Sequence, residues 1–145
     1  MPEKRSTLLE EPLVVEAFKQ TWLDSQPGHG SGHEEGGFIL RDAHGNLSVK
    51  RWPQGEQNII TVPPHPNCKI EDCEIIATFH THPNTGNDFL QEPSETDRRA
   101  VRDDPNLKSP GYEGEYVISQ QLIYLVAANG QVSIIGNTRA LLTTV

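Results

Sequence analysis

Apolar residues recur along this chain with two different periods, and each period predicts one kind of element. Between residues 13 and 24 they recur at intervals of three and four, which predicts one buried face of a helix. The positions with this spacing are Leu13, Val14, Ala17, Phe18 and Trp22. Residues 1–12 lack the pattern, so we expect them to be an N-terminal lead-in and residues 13–145 to form the folded domain.

Short β-branched and apolar runs, bounded by glycine, proline and asparagine, predict strands over much of the remaining chain. They cover residues 37–40, 47–52, 58–62, 74–80, 116–119, 122–128 and 132–135, and residues 94–103 are predicted to form a second helix. The dipeptides Gly45-Asn46 and Asn129-Gly130 predict hairpin turns. Helices and strands follow in a mixed order, so the predicted fold class is α+β (an α/β three-layer domain) with a mixed β-sheet flanked by helices.

The composition limits what the protein can be. With 145 residues the chain has the length of one domain, and its 12 glycines and 11 prolines indicate long loops. It has no apolar run long enough to span a membrane, and its charged N-terminus lacks the apolar stretch of a signal peptide. We therefore expect a cytoplasmic protein without a membrane partner. The net charge of −8 argues against a nucleic-acid partner, whose recognition needs clustered lysine and arginine.

The two cysteines, Cys68 and Cys73, are expected to be thiols because the cytoplasm is reducing. A single C-x4-C pair is a poor zinc signature, since structural zinc ligands usually come as two close pairs. A second metal site that also uses the nearby His65 is one alternative. The simpler interpretation is an irregular loop over residues 63–72, which prolines interrupt.

His80 and His82 stand two positions apart at the end of the predicted strand 74–80, and Pro83 stops the strand directly after them. Side chains two apart on a strand point to the same face, so both imidazoles can reach one metal ion. Asp97, in the first turn of the predicted second helix, can supply a third ligand. Two histidines and one carboxylate leave a fourth tetrahedral position for water, which is the arrangement of a catalytic zinc site.

Each part of this pattern has a simpler explanation when it is taken alone. A His-x-His pair is often only part of a polar surface. Ser94-x-x-Asp97 is also a plain helix start, with Ser94 as the N-cap and Asp97 in a position close to a capping box. Glu34 and Glu35, before the predicted strand 37–40, either supply a general base for a metal hydrolase or merely solvate the end of a loop.

Taken together and in order, these residues resemble the motif of the JAB1/MPN/Mov34 (JAMM) metalloprotease family. The motif reads Glu34-x-x-Gly37-Phe38-Ile39, then His80-Thr81-His82-Pro83, then Ser94-x-x-Asp97. The order of the predicted elements is similar as well, and the resemblance covers about residues 13–136. The chain looks most like the compact bacterial JAB-domain type, and the resemblance implies that residues 13–145 form a JAB/MPN-like metalloprotease domain.

The resemblance implies a role for each motif residue. His80, His82 and Asp97 would bind Zn²⁺. Glu34 would be the general base that activates a water, and Ser94 would hydrogen-bond the oxyanion of the tetrahedral intermediate. The implied reaction is hydrolysis of a peptide or isopeptide bond in a protein substrate. In this family the substrate is often the C-terminal tail of ubiquitin or of a ubiquitin-like protein.

The sequence departs from the family pattern in one loop. More residues separate His82 from Ser94 than is common in the family, so the loop 84–92 is expected to alter the rim of the cleft and the substrate specificity. Phe89 and Leu90 in this loop either contact the substrate or anchor the loop to the core.

The motif leaves open which of two neighbouring glutamates would be the general base. Counting back from Gly37 favours Glu34 over Glu35. Neighbouring side chains on an extended segment point to opposite faces, so only one of the two should face the metal.

Three other functions each fit the pattern less well. A non-catalytic MPN-type scaffold would hold partner proteins, although scaffolds of this kind typically lack the metal residues that this chain keeps. A nucleic-acid-associated protein of the DNA-repair type shares H-x-H-P and S-x-x-D, but the net charge of −8 argues against it. A zinc nucleobase deaminase needs H-x-E with a distant P-C-x-x-C, and the chain has no C-x-x-C.

Overall fold

The structure is a computed structural model that describes residues 7–27, 32–57, 59–83 and 91–143. Over these residues one mixed β-sheet of seven strands is accompanied by three α-helices, which confirms the predicted α+β fold class. The strands are β1 (Gly36–Arg41), β2 (Leu47–Arg51), β3 (Lys69–Ile70), β4 (Cys73–Thr81), β5 (Gly114–Ile118), β6 (Leu122–Ala127) and β7 (Val132–Asn137). The helices are α1 (Pro12–Asp24), α2 (Glu95–Arg102) and α3 (Thr138–Thr143).

The strands lie in the order β2-β1-β4-β5-β6-β7, and the short β3 pairs with the start of β4. All pairs are antiparallel except β4 and β5, which run parallel. The carboxyl ends of β4 and β5 therefore reach the same edge of the sheet. There the backbone N–H of His82 donates to the carbonyl oxygen of Ile118 at 2.9 Å, so the His-x-His pair is held at this edge.

Both predicted hairpin turns are confirmed. β1 pairs with β2 across the turn that contains Gly45, and β6 pairs with β7 across the turn that contains Gly130. Gly45 and Gly130 have φ angles of +85° and +88°, a left-handed conformation that glycine adopts without the steric cost of a Cβ atom.

Helix α1 confirms the predicted N-terminal helix. Pro12 occupies its first turn, where a backbone N–H has no helical partner to lose. α3 was not predicted, because six residues are too few to show a periodic pattern. No helix within the described ranges is both long and apolar enough to cross a bilayer.

The sheet has a hydrophobic cluster on each face, which produces three layers. On one face α1 and α3 cover the sheet, and the ring of Phe18 lies 5.0 Å from that of Phe79 and 5.3 Å from that of Tyr116. On the other face α2 and irregular segments cover the sheet, with buried side chains that include Phe38, Trp52, Val101, Tyr112 and Val117. Because Phe79 belongs to the first face, its strand neighbour His80 points to the second.

The predicted strand 58–62 is wrong over residues 59–62, which form no strand. The backbone N–H of Glu56 donates to the carbonyl oxygen of Ile59 at 2.7 Å, so the chain turns here. Both sides of β1 are already paired, with β2 and β4, and no free sheet edge is available beside it. Ile59 is also 61% exposed, so apolar burial does not favour adding this segment to the sheet.

Candidate metal centre

The carboxyl end of β4 and the first turn of α2 bring His80, His82 and Asp97 together. His80 lies within β4 and His82 directly follows it, so both side chains reach the same side of the sheet edge. Asp97 is the third residue of α2 and closes a capping box with Ser94, whose side chain accepts from the Asp97 N–H at 3.0 Å. The predicted capping role of Asp97 is therefore confirmed, and the same carboxylate also faces the two imidazoles.

The three side chains present electron-pair donors to one point. His80 Nε2 lies 3.3 Å from His82 Nε2 and 3.4 Å from Asp97 Oδ1, and His82 Nε2 lies 3.1 Å from Asp97 Oδ2. Two ligand atoms that each lie about 2.0–2.1 Å from one tetrahedral ion are about 3.3 Å apart. Each of these separations is close to that value, with one Asp97 oxygen facing each histidine, and one possible ligand atom from each residue lies within 4.8 Å of the other two. These three are the one such group of three or more residues in the described part of the chain.

Each imidazole uses its other nitrogen in a contact that points away from this group. His80 Nδ1 lies 3.0 Å from Glu115 Oε2, and His82 Nδ1 lies 3.0 Å from the carbonyl oxygen of Gln91. A carboxylate and a carbonyl accept hydrogen bonds, so both Nδ1 atoms carry the proton. In the neutral tautomer, each Nε2 then keeps its lone pair for a cation.

Glu34 and Glu35 point in different directions, as alternation along an extended segment requires. Glu34 lines the cleft that also contains His80, His82 and Asp97. Glu35 contacts His33 Nε2 at 2.6 Å and Arg51 Nη2 at 2.6 Å instead. The structure thus places the residue favoured by the motif, Glu34, beside the candidate ligands.

Backbone hydrogen bonds hold Glu34 in this position. Its N–H donates to the carbonyl oxygen of Glu56 at 2.7 Å, and its carbonyl accepts from the Gly55 N–H at 2.9 Å. Gly36 pairs with His80 across β1 and β4, and a Cβ atom at Gly36 would collide with Trp52 and with the backbone of Phe79. The glycine therefore lets β1 approach closely enough to set Glu34 next to the histidines.

Burial and charge shift the pKa values of three groups in the site. Burial raises the pKa of Glu34, although the two histidines oppose this. Burial also acts to raise the pKa of Asp97, but the hydrogen bonds that His80 and His82 donate when both of their ring nitrogens are protonated outweigh it and hold the pKa well below its usual range. Burial acts to lower the pKa of His80, but the carboxylates of Glu115 and Asp97 raise it well above its usual value. Asp97 is therefore ionised, the form that binds a cation.

The site opens into a cleft of about 370 Å³. One wall carries the candidate ligands together with Glu34, Ser94 and Glu115. The cleft is also lined by a set of apolar side chains, here called the apolar wall, which consists of Trp52 and, from the wrongly predicted strand, Ile59, Ile60 and Val62.

The other candidate residues lie elsewhere or outside the described ranges. Cys68 and Cys73 are free, as predicted, and Cys68 is buried with its Sγ donating to the carbonyl of Ile75. His65 contacts the carboxylate of Asp104 at 2.6 Å and the carbonyl of Pro63 at 2.8 Å. Both of its ring nitrogens are thus engaged away from the cysteines, and no metal group forms there among the described residues.

The predicted recognition loop, residues 84–92, is described only at its last two positions. Phe89 and Leu90 lie outside the described residues. Whether they contact the substrate or anchor the loop to the core therefore stays a prediction.

Sequence reasoning missed Glu115 and the apolar wall. The signal for Glu115 was its charge within an otherwise apolar strand, and its side chain is indeed only 9% exposed. The signal for the wall was the apolar run 59–62, which was assigned to a strand instead. Both depend on which segments become neighbours in space.

Comparison with known proteins adds no assignment. No protein-family model matches the chain, and no curated protein matches it in sequence.

Proposed function

We propose that this protein is a zinc-dependent metallopeptidase or isopeptidase of the JAMM type. The observation that carries the proposal is the convergence of His80 Nε2, His82 Nε2 and an Asp97 carboxylate at separations of 3.1–3.4 Å, with Glu34 in the same cleft. A structural zinc site would use a fourth protein ligand, whereas a site with three ligands leaves one position open for chemistry.

The donor set supports zinc as the ion. Imidazole and carboxylate donors suit Zn²⁺, whereas Mg²⁺ and Ca²⁺ prefer sites made of oxygen ligands alone. A zinc ion held by His80, His82 and Asp97 would supply a Lewis acid that polarises the scissile carbonyl and lowers the pKa of water.

Glu34 is suited to be the general base. It lines the cleft beside the three donors, and burial raises its pKa towards the range in which a carboxylate accepts a proton effectively. Glu34 would take a proton from the attacking water and then deliver it to the amine that leaves. Glu35 is less suited to this role because its carboxylate contacts His33 and Arg51.

Ser94 is suited to stabilise the oxyanion. Its Oγ accepts from the N–H of Asp97, which leaves the hydroxyl proton able to donate into the cleft that Ser94 lines. A donor aimed at the charge that develops on the carbonyl oxygen contributes roughly 3–4 kcal/mol in other enzymes.

The cleft supports a polypeptide substrate in an extended conformation, and the proposed substrate is the C-terminal tail of a ubiquitin-like protein. The exposed side chains of Ile59 and Val62 offer apolar contacts directly beside the reacting groups. Backbone groups of an extended tail can then approach the polar wall, where the base and the hydroxyl lie.

The test combines metal analysis with a cleavage assay. Zinc-loaded protein is incubated with a peptide library and with linear and isopeptide-linked fusions of ubiquitin-like proteins, and the released products are identified by mass spectrometry. We expect cleavage that a chelator abolishes, that added zinc restores, and that the Glu34→Gln variant lacks. Zinc binding without any cleavage beyond that of Glu34→Gln would contradict the peptidase proposal and favour a scaffold.

A further inference from the structure

Glu115 is a buried carboxylate that the proposed reaction does not use. It lies on β5, where the parallel pairing with β4 sets it opposite Thr78, two residues before His80. Its side chain is 9% exposed and that of His80 is 4% exposed. Parallel pairing between two central strands fixes this arrangement, so Glu115 and His80 meet because of the sheet and not through a flexible loop.

The contact between them is specific to one ring nitrogen. Glu115 Oε2 lies 3.0 Å from His80 Nδ1, whereas His80 Nε2 faces His82 and Asp97. Glu115 is not one of the residues that form the donor group, and its carboxylate contacts that group at the Nδ1 atom of His80. Because an ionised carboxylate only accepts hydrogen bonds, the proton of this contact belongs to Nδ1.

We propose that Glu115 is a positioning residue that holds His80 with its proton on Nδ1, so that Nε2 offers its lone pair to the metal ion. The inference rests on the metal-binding part of the proposed function. Partners of this kind fix the orientation of a ligating histidine and increase its basicity, and their removal commonly weakens metal binding about 10–100-fold.

His80 and His82 differ in the group that their Nδ1 atoms contact. His82 Nδ1 contacts a neutral backbone carbonyl, that of Gln91, whereas His80 Nδ1 contacts a charged carboxylate. A charge-assisted hydrogen bond is roughly twice as strong as a neutral one. Glu115 therefore makes His80 the more strongly oriented ligand, and its loss should weaken the site even though every ligand is still present.

The experiment compares zinc affinity in matched variants. The zinc dissociation constant is measured by competition with a chromophoric chelator for the wild type, Glu115→Gln and Glu74→Gln. Glu74 is the control because it is a partly buried glutamate on β4 that pairs with Arg41 at 2.7 Å, away from the site. We expect the dissociation constant to rise about 10–100-fold in Glu115→Gln and to stay unchanged in Glu74→Gln.

A second readout reports the hydrogen bond itself. The Nδ1 proton of His80 should give a slowly exchanging downfield signal in ¹⁵N-edited spectra of the wild type, and the signal should move upfield in Glu115→Gln because the acceptor is neutral. A purely structural role of Glu115 would lower thermal stability without moving this signal. If Glu115→Gln does not fold, both measurements are made on Glu115→Asp, which withdraws the carboxylate and should weaken zinc binding in the same direction.

The outcomes separate this inference from the proposed function. Equal zinc affinity and an unmoved Nδ1 signal in Glu115→Gln would overturn the role of Glu115, whether or not the wild type cleaves peptides. Weakened zinc binding in Glu115→Gln would support that role even if the wild type cleaves nothing, in which case only the peptidase proposal fails.

Discussion

Glu34 and Glu35 are neighbours in the chain, yet they belong to two clusters with opposite electrostatic character. The Glu35 carboxylate contacts His33 and Arg51, both at 2.6 Å, and Arg51 also contacts Asp24 at 3.1 Å. Each carboxylate in this first cluster therefore has a partner that donates protons. Such a cluster is complete without any further ligand.

The cluster beside Glu34 is not balanced in this way. His80, His82 and Asp97 bring Nε2 and carboxylate oxygen atoms within 3.1–3.4 Å of one another, and Glu34 and Glu115 add two more carboxylates to the same cleft. Among the residues that the structure describes, no lysine or arginine side chain lines this cleft. The comparison indicates that similar residue types form either a closed ion-pair network or a group of donors that could hold a cation, according to whether positive side chains reach them.

Replacement of His80 and His82 should have the largest effect on the site beside Glu34. We expect purified wild-type protein to carry about one zinc ion per chain and the His80→Ala/His82→Ala variant to carry essentially none, because one carboxylate alone binds zinc poorly. Elemental analysis measures the ratio. His65→Ala is the control, since His65 also contacts a carboxylate but lies in another cluster. Undiminished zinc in the double variant would exclude these residues as ligands.

Exchange of each glutamate for glutamine separates catalysis from stability. Glu34→Gln should keep zinc and fold but lower kcat by about 10²–10⁴-fold, because proton transfer is lost. Glu35→Gln should keep kcat and lose about 1–3 kcal/mol of unfolding free energy, because it weakens charged hydrogen bonds to His33 and Arg51. Cleavage rates and denaturant unfolding measure the two effects. If Glu35→Gln is inactive and Glu34→Gln is active, the general base is Glu35 and not Glu34.

Two substitutions at Ser94 distinguish its proposed role as an oxyanion donor from its role as the N-cap of α2. Ser94→Ala should lower kcat by about 10²–10³-fold through loss of the oxyanion donor. It should also cost about 1 kcal/mol of stability through loss of the N-cap. Ser94→Gly should lower kcat as much while costing only a few tenths of a kcal/mol, since glycine is a tolerated N-cap. Unchanged kcat in both variants would leave Ser94 as a helix cap only.

The smallest effect is expected at the apolar wall. Ile59→Ser should raise KM about 3–10-fold, as expected when roughly 1 kcal/mol of apolar contact with the substrate is lost. Ile134→Ser on β7 is a matched control, because Ile134 is 59% exposed and Ile59 is 61% exposed, but only Ile59 lines the cleft. Steady-state kinetics of the two variants give the comparison. An equal change of KM in both would show that the wall does not bind substrate.

Local chemistry explains what could be predicted from the sequence. The helix periodicity of α1, the capping box of Ser94 and Asp97, and the glycine turns at Gly45 and Gly130 all arise from residues a few positions apart. The pair His80 and His82 falls in the same class, because the alternation of a strand determines their common face. The sequence therefore indicated three candidate ligands that the structure brings together.

The tertiary structure alone decided three further points. It placed residues 59–62 in the cleft wall, because both sides of β1 were already occupied by other strands. It paired Glu35 with His33 and Arg51, two partners that the sequence did not indicate. It set Glu115 against His80 through the parallel register of β4 and β5. Periodicity encodes the conformation of a segment, whereas these contacts depend on which distant segments pair and in what register, and that is determined by packing of the whole sheet.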